Sequence, residues 1–98
     1  MTKTKVLLAE DHTLVRAGFR ALLEKLDGVQ VIGEVSDGRE ALRMSKEAEP
    51  DVVLMDIAMP GMNGLEATSR MRQECPRTKV LMLSMYTNEE YLQEALRA

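Results

Sequence analysis

Ninety-eight residues, 45% apolar and 30% charged, are enough for one globular domain with a single core and do not have the make-up of a disordered chain. The net charge of −3 is mild and its acids and bases are interspersed, which leaves no basic face for a nucleic acid backbone; any DNA contact belongs to another part of the protein. The lone Cys75 excludes an intrachain disulfide and a multi-cysteine metal site, and no run nears the roughly 18 apolar residues that span a bilayer. The N-terminal Met-Thr-Lys-Thr-Lys is not a signal peptide, so the expected location is the cytoplasm.

Along the chain, strand and helix patterns alternate. Val6-Leu7-Leu8-Ala9 is an uninterrupted apolar run, as in a strand buried on both faces, and it stops at Glu10-Asp11. Val15, Phe19, Leu22, Leu23 and Leu26 then recur at helical spacing, which predicts a first helix from about Thr13, with Gly28 as its stop signal. Val29 to Val35 reads as the second strand. Ser36-Asp37-Gly38 is a turn, with Asp37 and Glu40 spaced as a capping-box variant. Helix two runs through Ala41 and Leu42 to about Ala48, and Pro50 breaks it.

Asp51 to Met55 is strand three, apolar after its first residue and ending at Asp56. A loop rich in turn residues covers 57–64, and helix three covers Leu65 to Glu74, closed by Pro76. Lys79 to Ser84 is strand four. Thr87 and Glu90 form a second capping box for helix four, with Leu92, Ala95 and Leu96 as its apolar stripe. Strands and helices alternating at this spacing imply parallel strands joined by right-handed crossovers, hence a doubly wound α/β sheet.

In such a sheet the strands end at one edge, and sites form beyond their carboxyl ends where the strand order reverses. Strand one ends in Glu10-Asp11, strand three in Asp56 and strand four in Ser84. If strands one and three are neighbours, three carboxylates from distant parts of the sequence meet. Such a cluster repels itself unless a cation sits in it, and few hard oxygen ligands suit Mg²⁺. A metal there would also neutralise charge on a phosphoryl group approaching a carboxylate. Asp56, at a strand end facing a loop, is a suitable nucleophile for an acyl phosphate, and the Ser84 hydroxyl could donate to the arriving oxygens. The residues read as a metal-assisted phosphoryl acceptor.

The runs Val-Leu-Leu-Ala-Glu-Asp-His, Asp-Val-Val-Leu-Met-Asp-Ile-Ala-Met-Pro-Gly-Met-Asn-Gly and Val-Leu-Met-Leu-Ser resemble the response regulator receiver family across essentially the whole chain. Ala-Glu-Asp-His followed by Val-Arg-Ala-Gly is similar to the NarL/FixJ branch, whose members continue into a helix-turn-helix DNA-binding domain. The resemblance implies a flavodoxin-like fold with strand order 2-1-3-4 and signalling by phosphoryl transfer from a sensor histidine kinase, with transcriptional output. It does not imply an enzyme acting on a separate substrate. It makes Asp56 the phosphoacceptor, Asp11 the direct Mg²⁺ ligand and Glu10 a ligand through water. It also makes the Ala58 carbonyl a third protein oxygen on the metal, and Ser84 the switch hydroxyl.

One departure stands out. The family's fifth strand carries a lysine that pairs with the phosphoryl group and an aromatic switch residue, and a fifth helix follows; this sequence ends at Arg97-Ala98, before them. The expectation is a C-terminally incomplete receiver domain over 1–98, with a DNA-binding domain downstream. Strand four would then be an exposed edge, which invites self-association or element exchange.

Other functions fit less well. A flavin mononucleotide carrier needs a glycine-rich phosphate cradle where Glu10-Asp11 stands, and an aspartyl phosphatase needs a second acid where Ala58 stands. A phosphorylation-silent module of the same fold is the remaining alternative. His12 is expected to open helix one and line the pocket mouth, and Cys75 to be a surface residue. Met59 and Met62 stand out in the loop as contacts for a partner, and Tyr86 and Tyr91 flank the switch loop.

Overall fold

A parallel four-stranded sheet in the order β2-β1-β3-β4 is the frame of the computed structural model, which describes residues 3–56, 62 and 64–83. The elements are β1 (Thr4–Ala9), α1 (Thr13–Glu24), β2 (Val29–Val35), α2 (Gly38–Ala48), β3 (Val52–Asp56), α3 (Gly64–Glu74) and β4 (Lys79–Leu83). Expectations for helix four, Ser84, Ala58, Met59, Tyr86 and Tyr91 lie outside the described residues.

The apolar runs form the middle of the sheet because both of their faces are covered. On β1 and β3, Leu7, Ala9, Val53 and Met55 point into a core closed by Ala41 and Leu42 of α2 and Ala67 and Met71 of α3. The alternate residues Val6, Leu8, Val52 and Leu54 meet Phe19, Leu23 and Leu26 on the other side. Two-residue alternation along a strand thus divides one apolar sequence between two layers. Leu7, Leu8, Leu23 and Leu54 are fully buried, each contributing about 1.5–3 kcal/mol of hydrophobic transfer free energy.

Local signals set the element ends. Asp37 accepts a hydrogen bond from the Glu40 backbone N–H at 2.8 Å, capping α2 as its spacing indicated. That helix closes with Glu49 in the left-handed region, at φ 47°. The α1 helix ends at Glu24, two residues before the last member of its apolar stripe. Lys25 and Leu26 continue as a turn, donating from their backbone N–H groups to the carbonyls of Leu22 and Leu23. β1 begins earlier than its apolar run, because parallel pairing with β2 already holds Thr4 opposite Val29.

Two expectations are corrected. Cys75 is buried in the core beside Met71, because the turn after α3 folds it inward beneath α2. Burial pushes its thiol pKa up. Met62 likewise packs into the α2–α3 core and is no surface for a partner.

Candidate acidic functional site

Register brings the acids together. β1 and β3 pair in parallel with Ala9 opposite Met55, so the next residue of each strand, Glu10 and Asp56, stand level. Both have the parity of Val6, Leu8, Val52 and Leu54 and therefore turn to the α1 side of the sheet. Asp11 follows immediately, beyond the end of the ladder. Ligand atoms of Glu10, Asp11, His12 and Asp56 all lie within 4.8 Å of one another.

Glu10 is held on several sides. Its backbone N–H donates to the Val35 carbonyl at 3.1 Å, prolonging the β1–β2 pairing. Its carboxylate accepts from the His12 backbone N–H at 3.3 Å and faces the His12 Nδ1 at 2.9 Å. Asp11 Oδ1 lies 3.2 Å from the same Nδ1. Both neighbours are acceptors, so the imidazole proton belongs on Nδ1, and a single N–H directed at Glu10 cannot also serve Asp11. Asp11 Oδ1 is accordingly buried with no hydrogen-bond partner among the described residues. His12 opens α1 and its side chain is mostly exposed at the rim, as its place in the sequence indicated.

The electrostatics follow from this crowding. Burial raises the Glu10 carboxyl above its ordinary 4.5; the hydrogen bond and charge of Asp56 push the same way, against a lowering by His12. The hydrogen bond to Glu10, and then the charge of Asp11, raises the exposed His12 imidazole above its ordinary 6.5. An unsatisfied buried carboxylate oxygen among clustered acids suits a hard divalent cation bound through oxygen, and Mg²⁺ fits this donor set.

A model of the response regulator receiver domain family matches residues 6–98. The chain belongs to that family. It is 43% identical over 94 residues to response regulator GacA of Pseudomonas syringae, covering 96% of this chain and 44% of that protein. It is 44% identical over 94 residues to oxygen regulatory protein NreC of Staphylococcus haemolyticus, covering 95% of this chain and 43% of that protein. The receiver domain of the response regulator NarL from Mycobacterium tuberculosis superposes with a TM-score of 0.83 at 35% identity, over 99% of this chain and 78% of that one. The chain thus spans less than half the length of these two curated relatives. The flavodoxin-like receiver fold and the NarL-type kinship follow together. No helix among the described residues is long and apolar enough to cross a membrane.

Of the expected site residues, the receiver fold brings Glu10, Asp11 and Asp56 together, whereas Ala58 and Ser84 lie outside the described residues. Sequence reasoning passed over Arg16. Its Nη1 donates to the Glu10 carbonyl at 2.8 Å, and its Nε lies 3.4 Å from Glu34 on β2. Only the strand order brings Glu34 next to this turn. Arg20, a helical turn beyond Arg16, pairs with the same Glu34.

Proposed function

We propose that this receiver domain accepts a phosphoryl group on Asp56, with Mg²⁺ held by Asp11, Asp56, the Ala58 carbonyl and, through water, Glu10. The convergence of three carboxylates at the carboxyl ends of β1 and β3, one with a buried unsatisfied oxygen, carries this reading. In the transfer, an Asp56 carboxylate oxygen attacks phosphorus. An O–P bond forms as the bond from phosphorus to the donor breaks, leaving an acyl phosphate. The bonding pair departs with the donor, as acetate from acetyl phosphate or on the imidazole nitrogen of a phosphohistidine. When bound, Mg²⁺ supplies charge neutralisation at the phosphoryl oxygens.

The donor proposed by kinship is a phosphohistidine of a sensor kinase. Ser84 would donate its hydroxyl to the new phosphoryl group and carry the change outward, as charge switches do. The proposed output is transcriptional control through a DNA-binding domain beyond this chain, in the cytoplasm. The supports are the NarL-type kinship and the greater length of the curated relatives. On this reading the domain catalyses transfer only to and from its own aspartate.

The chemical nature of the linkage is the test. A label taken from acetyl phosphate should be released by neutral hydroxylamine, which cleaves acyl phosphates and spares phosphoserine and phosphothreonine. A hydroxylamine-resistant label would place the phosphoryl group on a hydroxyl and overturn the assignment to Asp56.

A further inference from the structure

Asp11 is held in an unusual way for a residue at the centre of a candidate site. Its Oδ1 is buried without a hydrogen-bond partner among the described residues, and it stands past the last β1–β3 pair, Ala9 with Met55. Apart from the exposed His12, whose Nδ1 lies 3.2 Å from Oδ1, what aims its side chain is the backbone leading into it. The carbonyl of Glu10 and the N–H of Asp11 belong to one planar peptide unit, so fixing that oxygen fixes the direction in which Asp11 leaves the strand.

Arg16 fixes that oxygen. Its half-buried side chain donates from Nη1 to the Glu10 carbonyl and sets Nε toward Glu34. Glu34 is in turn held by Arg20 on the next turn of α1. A planar fork can bridge a carbonyl and a carboxylate at once, which a lysine ammonium does with far less geometric definition. Resting on the reading of Glu10, Asp11 and Asp56 as the metal site, we propose that Arg16 is a positioning residue for it: braced on Glu34, it holds the Glu10–Asp11 peptide so that Asp11 presents its carboxylate to the cation.

Charge alone gives the opposite expectation. A guanidinium near a cation site disfavours the cation, so removing it would tighten binding if electrostatics dominated; removing a brace weakens it. Pairing with Glu34 and solvent screening keep the repulsive effect small.

Mg²⁺ titration of the chain followed by amide NMR separates these outcomes. Arg16→Ala should weaken Mg²⁺ binding roughly tenfold, at the low end of the loss when a ligand's supporting partner is removed. Arg20→Ala, which loses an ion pair to the same Glu34 but no contact to Glu10, should stay within about twofold of wild type. Phosphoryl uptake from acetyl phosphate by Arg16→Ala should be slow at low Mg²⁺ and recover at saturating Mg²⁺. A purely structural loss would not be relieved by metal in this way. Arg16→Gln, which keeps much of the bulk but cannot bridge both partners, carries the same test if the alanine variant does not fold. Mg²⁺ affinity equal to or tighter than wild type in the folded variant overturns the proposal. Absence of any Mg²⁺ response in wild type overturns the underlying metal reading instead.

Discussion

A Cβ built on Gly38 would lie 2.0 Å from the carbonyl oxygen of Met62 and 3.0 Å from its carbonyl carbon. Gly38 begins α2, and Met62 lies six residues after Asp56 in the sequence. The absence of a side chain lets the backbone after the candidate nucleophile settle against the start of a helix, and the buried Met62 side chain completes the fit. Gly38→Ala would ordinarily gain up to about 1 kcal/mol of helix propensity. Here the obstacle is backbone, so a net loss of about 1–3 kcal/mol is expected, typical of overpacking. Urea unfolding measures it, and an unchanged or higher midpoint would show that the contact yields without cost.

Glu10→Gln should stabilise the metal-free domain near neutral pH. The folded-state pKa of Glu10 is raised, first by burial and then by Asp56, so its favourable contribution is complete below 4.5 and is lost as pH rises through the raised value. Glutamine removes that loss while keeping an oxygen for His12. A rise of roughly a few degrees in Tm at pH 7 in EDTA, shrinking toward pH 4, is expected. Equal Tm values at both pH values would mean the cluster stores no repulsion.

The opposite sign holds at Glu74. Lys46, and then Arg70, hold its carboxyl below the ordinary 4.5, and the pair with Lys46 ties α3 to α2. Its contribution is therefore present above pH 4.5 and is lost as pH falls through the lowered value. Wild type should exceed Glu74→Gln in stability at pH 6 by a small margin that closes toward pH 3 and narrows in high salt. A margin that persists at pH 3 would point to packing of the side chain and not to its charge.

Most of the fold was legible because β1, β3 and β4 carry continuous apolar runs and turn residues, acids, glycine and proline punctuate the elements. Val29–Val35 begins and ends as read, and α2 and α3 each begin close to where their turns and spacing place them. The meeting of Glu10 with Asp56 was legible only conditionally, since it depends on β1 and β3 being neighbours in matching register. Cys75 and Met62 were misjudged because neighbouring turn residues mark a surface locally, while burial there is decided by α2 packing across α3. Arg16 was missed for a related reason. Its partners, a backbone carbonyl and a glutamate on an adjacent strand, leave no periodic trace in the sequence.

The most direct measurement is the intact mass of the chain after incubation with acetyl phosphate and Mg²⁺, beside Asp56→Asn and a sample in EDTA. A gain of one phosphoryl group in wild type, absent in Asp56→Asn and in EDTA, is the expected result. A gain that persists in Asp56→Asn, or that is indifferent to Mg²⁺, would contradict Asp56 as the acceptor or the acidic cluster as its metal site, respectively. No gain in wild type would leave either a site that needs residues beyond this chain or a phosphorylation-silent module of the same fold. The same measurement on the longer protein decides between them.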